Sequence, residues 1–376
     1  MDEKRHYHII IGSKAFFDAE IAKIDTTGAS WFLELVRLWD DSKQVIVVGQ
    51  QPKEKPKASL LIIKNDNYHG IVDSAHDRLG GLIEDLTLPT AVIYVHNPPQ
   101  RLNNYLMDQH SRQQIDLTVQ REEYTIKRVP EQFSFNIKSI AERIIGQDDA
   151  VKEISKSIWY LTSVERKKPY VIMLYGNSSL GKTELVREVA EKFFQGKFLE
   201  KHLSMFKNNN YSDYFFGDAP NRRSIGFDLL ERESNLIFFD EIDKCPEHFY
   251  SAFYTLFDNT LFKDSTYDVD VSGTIIILTS NYQDEDEMKK NLGLPVFYRI
   301  DKFIHFNDFT TEVIYKIVMN ELESRKDELN GKLTVDDVYS VVSKRLNATN
   351  ENARTIKYKI QQVIEDLLFK EVESSV

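Results

Sequence analysis

The sequence predicts an α/β protein in which a parallel sheet is preceded by a small α/β N-terminal domain and followed by a helical lid. Short apolar runs alternate with helix-like segments in both halves of the chain, and such alternation is typical of parallel sheets. A glycine-rich stretch, YGNSSLGKTEL, lies directly after the apolar run YVIML, as in strand–loop–helix units that bind phosphate. After Asp308 the pattern becomes wholly helical.

Composition restricts the class of protein. A chain of 376 residues has room for two or three domains, and 41% hydrophobic with 28% charged residues is ordinary for a globular protein. The net charge of −11 disfavours a general role in coating DNA or RNA, for which a basic face supplies most of the affinity. The single cysteine, Cys245, excludes an intrachain disulfide. We find neither a signal peptide nor an apolar run approaching about 18 residues, and we therefore expect a cytoplasmic protein without membrane contact.

The N-terminal domain is predicted over residues 1–118. Helix-like segments separate its strand candidates and favour a small, mostly parallel sheet. The domain contains no glycine fingerprint, metal-ligand spacing or nucleophile motif, and the chain shows no internal repeat. A polar linker is expected over residues 119–138, where edge strands remain open. The predicted strands are Tyr7–Ile11, Val45–Val48, Leu60–Ile63 and Ala91–Val95.

The second half contains the predicted core, residues 139–309, and the predicted lid, residues 310–376. The acidic run Asp284–Glu287 is interpreted as an exposed loop, because it adjoins no other candidate metal ligand. In the lid, an apolar stripe at helix spacing predicts a buried helix face. The core strands are predicted at Tyr170–Leu174, Leu236–Phe239, Thr274–Leu278 and Phe303–Phe306, and the lid stripe comprises Ile356, Ile360, Val363, Ile364 and Leu367.

The segment Gly176–Thr183 matches the pattern G-x-x-x-x-G-K-[ST], with the required strand before it and helix after it. Its glycines let backbone N–H groups turn towards phosphate oxygens, and the following helix presents its positive end. Lys182 is predicted to reach the β- and γ-phosphates of ATP, and Thr183 to bind Mg²⁺. The predicted nucleotide-binding residues here are Gly176, Asn177, Ser178, Ser179, Leu180, Gly181, Lys182, Thr183 and Glu184.

An acidic pair follows a second buried strand in the segment LIFFDEID. Asp240 and Glu241 emerge at the carboxyl end of this strand, and ligands bind at that edge in open parallel sheets. Asp240 is predicted to hold Mg²⁺, and Glu241 to orient and deprotonate a water aimed at the γ-phosphate. A glutamate directly after the aspartate favours hydrolysis over binding alone.

Five segments lie in order beside the P-loop: IIGQDDAV, FDEIDKCPEHFYSAFYTLFDN, ILTSN, PVFYRIDKFIHF and NARTIKYKI. Together they resemble the motifs of AAA+ ATPases, in the branch that contains the Clp and heat-shock unfoldases. The resemblance implies that Ile144 and Ile145 contact adenine through the backbone and that Asn281 helps to position the attacking water. It also implies that Arg299 is the arginine finger and that Arg354 faces the γ-phosphate from the lid. Asn352 stands where this family usually has glycine.

The chain departs from this family in the segment FFGDAPNRRSIGF. In the unfoldases a loop at this point carries an aromatic side chain that grips polypeptide in a central pore. Here the comparable residues are Asn221, Arg222, Arg223 and Ser224, which we call the candidate pore loop. Two arginines do not supply an apolar grip. Contact with acidic peptide, a partner or a nucleic-acid backbone stays open, as does simple solvation.

The leading hypothesis is therefore an Mg²⁺-dependent ATPase, working as a ring or other homo-oligomer, that remodels a protein target selected by the N-terminal domain. The alternative is an ATP-dependent assembly switch or scaffold for a partner effector, as in bacterial defence or regulation, without threading of a substrate. A motor acting on nucleic acid is disfavoured by the net charge of −11 and is left open only by Arg222 and Arg223.

Overall fold

The computed structural model describes residues 4–42, 55–124, 129–205, 210–329, 333–347 and 351–373. By its contacts the chain divides into two compact units. Unit 1 comprises Met1–Thr125, Phe206–Asn235 and His248–Ser272, and unit 2 comprises Ile126–Met205, Leu236–Glu247 and Gly273–Val376.

The first part of unit 1 alternates strands and helices along the chain. Its strands all pair in parallel, in the order β2-β3-β4-β1-β5, which confirms the predicted α/β sheet. The predicted strand Val45–Val48 lies outside the described residues. The elements are β1 (His6–Ile11), α1 (Lys14–Ile21), β2 (Ser30–Trp31), α2 (Phe32–Ser42), β3 (Ala58–Ile63), α3 (Asp73–His76), α4 (Leu79–Asp85), β4 (Thr87–His96), α5 (Gln100–Ser111) and β5 (Asp116–Arg121).

The chain then enters unit 2, returns twice to unit 1 and ends in unit 2. In order, the elements are α6 (Pro130–Arg143), α7 (Asp148–Leu161), β6 (Tyr170–Tyr175), α8 (Lys182–Phe194), β7 (Leu199–His202), α9 (Asn210–Phe216), α10 (Ile225–Leu230), β8 (Leu236–Asp240), α11 (Tyr250–Asp258), β9 (Leu261–Lys263), β10 (Asp268–Asp270), β11 (Ile275–Thr279), α12 (Glu285–Leu292), α13 (Leu294–Phe297), β12 (Lys302–His305), α14 (Thr311–Ser324), α15 (Val335–Arg345) and α16 (Ala353–Glu373).

The sheet of unit 2 has the parallel order β12-β6-β11-β8-β7. Its central strands are apolar and buried along almost their whole length, as expected when helices cover both faces of a parallel sheet. In the lid, α14 packs against α16, and the predicted stripe of α16 is buried, with Leu367 partly so. Among the described residues, no helix combines the length and apolar character that crossing a membrane requires.

Two features differ from the sequence-based expectation. The run Asp284–Glu287 is not a loop: Asp284 caps α12 by accepting the N–H of Glu287, because carboxylates at a helix start satisfy free N–H groups and the helix dipole. β5 extends past residue 118, and α6 begins at Pro130 within the expected linker. Both differences concern single elements. The predicted domain limits concern folding units, and they remain a proposal.

Candidate nucleotide-binding and ATPase site

The P-loop connects β6 to α8 in unit 2. Gly176 has φ 127°, and a Cβ at this position would lie 2.5 Å from the carbonyl oxygen of Phe306. Gly181, which precedes the first turn of α8, has φ 100°. Both conformations favour glycine, so the loop adopts a path that other residues would strain.

Lys182 begins α8 and is buried. Its Nζ donates to the carbonyl oxygens of Gly176 and Asn177, both at 2.7 Å, and to Oδ1 of Asn281 at 3.3 Å. Burial lowers the pKa of Lys182 to about 8, although nearby carboxylates act in the opposite direction. The ammonium therefore lies inside the loop, where it is held by groups that a phosphate oxygen can replace.

Asp240 ends β8 and faces the hydroxyl groups of two threonines. Thr183 Oγ1 donates to its Oδ1 at 3.3 Å, and the Thr279 hydroxyl donates to the same oxygen. The other oxygen, Oδ2, lies 3.2 Å from Nδ1 of His202. Carboxylate and hydroxyl oxygens are the hard ligands that Mg²⁺ prefers, so Thr183 and Asp240 form a donor set that fits this ion.

Glu241 follows Asp240 with φ 58°, a conformation uncommon for residues other than glycine. Its N–H donates to Oγ1 of Thr279 at 2.9 Å, so one threonine contacts both members of the acidic pair. Asn281 donates to Oδ2 of Asp243 at 3.2 Å while it accepts from Lys182. The structure thus brings the predicted lysine, acidic pair and asparagine into one polar cluster.

A cavity of about 490 Å³ lies beside the P-loop in unit 2, within the usual size range of a small-molecule site. The backbone N–H of Ala353, at the start of α16, donates to the carbonyl oxygen of Ser179 at 3.1 Å and joins the lid to the loop. The lining contains five residues that the sequence predicted, Ile144, Ile145, Leu180, Gly181 and Glu184, and adds lid residues including Asn320, Glu321 and Lys357.

The two predicted arginines lie elsewhere. Arg299 is half-buried, and its Nη1 donates to the carbonyl oxygen of Pro295 at 2.5 Å. Arg354 is exposed near the start of α16. Neither is among the described residues that line the cavity. Their roles therefore remain predictions.

The candidate pore loop belongs to unit 1. Arg222 forms an ion pair with Asp218 at 2.7 Å, and Arg223 forms one with the buried Asp228 at 2.6 Å. Ser224 caps α10 through the N–H of Phe227. The loop is thus tied to residues that flank it on both sides.

Three residues of the cluster were missed by the sequence interpretation. Thr279 and Asp243 lie inside motifs that the sequence contains, two residues from Asn281 and from Glu241 respectively, so their position was a usable signal. His202 ends β7, whose register with β8 places it opposite Asp240, and no pattern in the sequence indicates that pairing.

A P-loop with its lysine, a hydroxyl–carboxylate pair for a metal ion, and a glutamate at the carboxyl edge of a parallel sheet define the site of a P-loop ATPase. Residues 167–335 match the family model of the AAA domain (Cdc48 subfamily). The chain contains an AAA+ ATPase domain of the Clp/Hsp100-like branch, which confirms the resemblance found in the sequence.

Similar proteins agree with this assignment. The ATP-binding subunit ClpC of the Clp protease of Staphylococcus aureus (strain USA300) is 28% identical over 275 residues, which cover 61% of this chain and 33% of that protein. The chaperone protein ClpB of Malacoplasma penetrans is 25% identical over 263 residues, covering 62% and 37%. The chain therefore spans about a third of the length of these relatives.

A closed-state cryo-EM reconstruction of Hsp104 with ATPγS and FITC-casein has a TM-score of 0.56 to this chain at 15% identity. The alignment covers 98% of this chain and 89% of the Hsp104 chain. At this identity the likeness shows the fold alone.

Proposed function

We propose that this protein is an Mg²⁺-dependent ATPase that works as a homo-oligomer and remodels a protein target. The observation that carries the proposal is the polar cluster at the carboxyl edge of the unit 2 sheet. There Lys182 contacts Asn281, and Thr279 joins Asp240 to Glu241. These groups match the parts that phosphoryl transfer requires, namely a cation for the phosphates, a metal ligand and a base.

Each residue has a distinct task in hydrolysis. Lys182 leaves its carbonyl partners and binds the β- and γ-phosphates, while Thr183 and Asp240 would hold Mg²⁺, which neutralises phosphate charge when bound. Glu241 accepts a proton from the attacking water, and Asn281 orients that water. Ile144 and Ile145, in the cavity beside the P-loop, are proposed to contact adenine. Arg299 and Arg354 are proposed to supply charge to the γ-phosphate, Arg299 from a neighbouring subunit.

A protein target is supported by the relatives, which are named as a chaperone and as the ATP-binding subunit of a protease. A cytoplasmic location is proposed on the same basis. The N-terminal domain is proposed to select the target.

The first test compares steady-state ATP hydrolysis with and without an unfolded model protein. We expect Lys182→Ala to abolish ATP binding and turnover. Among the described contacts of the P-loop, Lys182 is the cation available to the phosphates. Lys152→Ala, an exposed lysine of unit 2, is the matched control and should behave as wild type. Stimulation of the wild type by the unfolded protein supports remodelling, and its absence with healthy basal turnover argues against it.

The oligomer is tested by mixing two inactive variants. Arg299→Ala should bind ATP almost normally yet hydrolyse it slowly, and adding Lys182→Ala should restore part of the activity. Such rescue needs an interface that pairs an intact pocket with an intact Arg299. Full turnover by Arg299→Ala in a demonstrably monomeric sample contradicts the proposed assembly.

A second candidate function, an ATP-dependent switch or scaffold without threading, is supported by the candidate pore loop. Its arginines are paired with Asp218 and Asp228 of the same segment, and the loop has no aromatic residue at its tip. The deciding measurement is ATP-driven unfolding of an unrelated tagged fluorescent protein, beside basal turnover. Efficient unfolding favours the remodelling function, whereas nucleotide-dependent assembly without unfolding favours the switch.

A further inference from the structure

The two units contain sheets of the same topology. When the five parallel strands of the unit 2 sheet are numbered along the chain, their order is 5-1-4-3-2, and the unit 1 sheet, read from its other edge, has the same order. In both units a glycine follows the first strand, at Gly12 and Gly176, and a lysine is the first residue of the next helix, at Lys14 and Lys182. Unit 1 therefore has the framework of a P-loop fold.

The connection between β1 and α1 in unit 1 does not form a loop that could surround phosphates. Only Gly12 and Ser13 separate β1 from α1, whereas residues 176–181 separate β6 from α8. A Cβ at Gly12 would lie 2.6 Å from Cβ of Glu122, so this short turn is also closely covered. Lys14 is exposed, unlike the buried Lys182. A two-residue connection is too short to wrap phosphate oxygens with backbone N–H groups.

A carboxylate of the chain itself occupies the carboxyl edge of this sheet. Glu231 directly follows α10 and lies in the stretch of unit 1 over residues 210–235, which we call the 210–235 segment. Its Oε2 accepts the backbone N–H of Lys14 at 2.8 Å. Its Oε1 accepts the side-chain amides of Asn65 at 2.7 Å and Asn97 at 3.3 Å. The partners thus come from the start of α1 and from the ends of β3 and β4.

Two further donors at the start of α1 are also satisfied within the chain. Glu122 Oε2 accepts the N–H of Ser13 at 2.6 Å, and the Ser13 hydroxyl accepts the N–H of Phe16 at 3.2 Å. Helix-start N–H groups bind phosphate only when they are free to do so. In unit 1 the N–H groups of Ser13, Lys14 and Phe16 are committed to the protein's own oxygens.

The polarity of the two sheet edges is opposite. Unit 2 presents the acids Asp240 and Glu241, which suit a metal ion and a water, whereas unit 1 presents the amide donors of Asn65 and Asn97, each 1% exposed. Buried amide donors need acceptors. Glu231 is the acceptor for Asn65, and Asn97 donates to both the carbonyl oxygen of Gly12, at 2.8 Å, and Glu231. Burial raises the pKa of Glu231, while the bonds from Asn65 and Lys14 favour its ionised form.

We propose that unit 1 is a nucleotide-free counterpart of the P-loop fold, in which the Glu231 carboxylate occupies the position of the phosphates and fixes the 210–235 segment to the N-terminal domain. The carboxyl edge of the unit 1 sheet thereby serves as an internal docking site for the segment that carries the candidate pore loop. Glu231 is a positioning residue in this arrangement. The inference is independent of whether unit 2 hydrolyses ATP.

The docking role is tested by removing the carboxylate and supplying a small one in solution. In Glu231→Ala, amide hydrogen exchange should accelerate about 10-fold in the 210–235 segment and at the start of α1, but not in residues 176–185. Formate, compared with chloride at equal ionic strength, should raise the unfolding midpoint of Glu231→Ala by about 3 °C or more and leave the wild type unchanged. Glu123→Gln, an exposed neighbour of Glu122, is the control and should match the wild type.

If Glu231→Ala does not fold, Glu231→Gln keeps the shape and gives the same exchange readout. With its amide oxygen towards Asn65 and Asn97, its amide nitrogen cannot accept the N–H of Lys14. Unchanged exchange in the folded variants, or formate stabilisation equal in variant and wild type, overturns the docking role.

A separate experiment tests whether unit 1 binds nucleotide: equilibrium dialysis gives the number of ATP molecules bound per chain. We expect no bound ATP in Lys182→Ala. Binding that survives Lys182→Ala and is lost in Lys182→Ala/Lys14→Ala would place a nucleotide in unit 1 and overturn the proposal.

Discussion

Thr279 is the residue on which the geometry of the acidic pair depends. Its hydroxyl donates to Asp240 and accepts the N–H of Glu241. One side chain therefore fixes the carboxylate proposed to hold the metal ion and the backbone that orients the proposed base. A hydroxyl in this position acts through its neighbours rather than on ATP.

We predict that Thr279→Val, which keeps the shape and removes the hydroxyl, lowers kcat about 10-fold or more and raises the Mg²⁺ concentration needed for half-maximal turnover. The KM for ATP should change much less, because the P-loop contacts remain. Thr279→Ser should restore both quantities, since it returns the hydroxyl. A Thr279→Val enzyme with the wild-type Mg²⁺ dependence would show that the two contacts are incidental.

His96 makes unit 1 sensitive to acid. It is 1% exposed, lies 2.9 Å from the carbonyl oxygen of Gly12 and 3.4 Å from the N–H of Asn65, and stacks on Phe17. Burial lowers the pKa of His96 from 6.5 to about 4, and the charge of Lys64 acts in the same direction. The carboxylates of Asp18 and Asp66 act in the opposite direction but do not cancel the effect of burial. Between these pH values the unfolded chain binds a proton that the folded protein does not.

The stability of unit 1 should therefore be fully present above about pH 6.5 and fall as pH drops towards 4, by on the order of 3 kcal/mol. Glu231, whose pKa is raised, acts in the opposite direction and reduces the net slope. Denaturation of His96→Gln across this range should show a flatter pH dependence than wild type and than the control His305→Gln. Equal slopes in all three proteins would exclude His96 as the source.

Residues that belong to a motif could be assigned from the sequence because their spacing is fixed by a strand, a loop and a helix. Lys182, Asp240 and Glu241 are of this kind, and the structure brings them together. Glu231 could not be found in this way, because its partners Lys14, Asn65 and Asn97 are more than a hundred residues away and share no pattern with it. Contacts of this range depend on the folded topology.

Among the elements, α10 and its flanking turns determine how the candidate pore loop is held. Arg223 pairs with Asp228, whose side chain is 2% exposed and also accepts the hydroxyl of Tyr214. Arg222 instead pairs with exposed Asp218. Although the two arginines are adjacent, only one partners a buried carboxylate.

We predict that Arg223→Ala lowers the free energy of unfolding by about 1–2 kcal/mol, because it leaves the buried Asp228 with less compensation. Arg222→Ala should change it by less than about 0.5 kcal/mol, as is usual for exposed pairs. Urea denaturation of both variants gives the comparison. The double variant Arg223→Ala/Asp228→Asn should recover part of the loss, and equal losses for the two single variants contradict this reading.

For the individual helices and strands, the sequence predicted where many strands lie, but not the order in which they pair. Periodicity identifies a buried strand such as Leu60–Ile63, yet strand order depends on which faces the connecting helices cover. The shared topology of the two sheets could therefore not be predicted from the sequence. The turn at Gly12 and Ser13 is too short to contain a P-loop motif, which would have indicated it.

In the whole molecule, we infer that one framework serves two purposes. Unit 2 keeps the P-loop, the acidic pair and the cavity beside the lid. Unit 1 keeps the strand order, and its ligand edge is filled by Glu231. We therefore infer a single nucleotide site in each chain, with hydrolysis dependent on Glu241.

The most direct test is the combined measurement of ATP turnover and retained nucleotide in Glu241→Gln, with Glu123→Gln as the control. Glutamine has the shape of glutamate but cannot act as a base. We predict that Glu241→Gln binds one ATP per chain with near wild-type affinity and that its turnover falls by about 100-fold or more. Turnover at the wild-type rate, or two ATP molecules bound per chain, would contradict it.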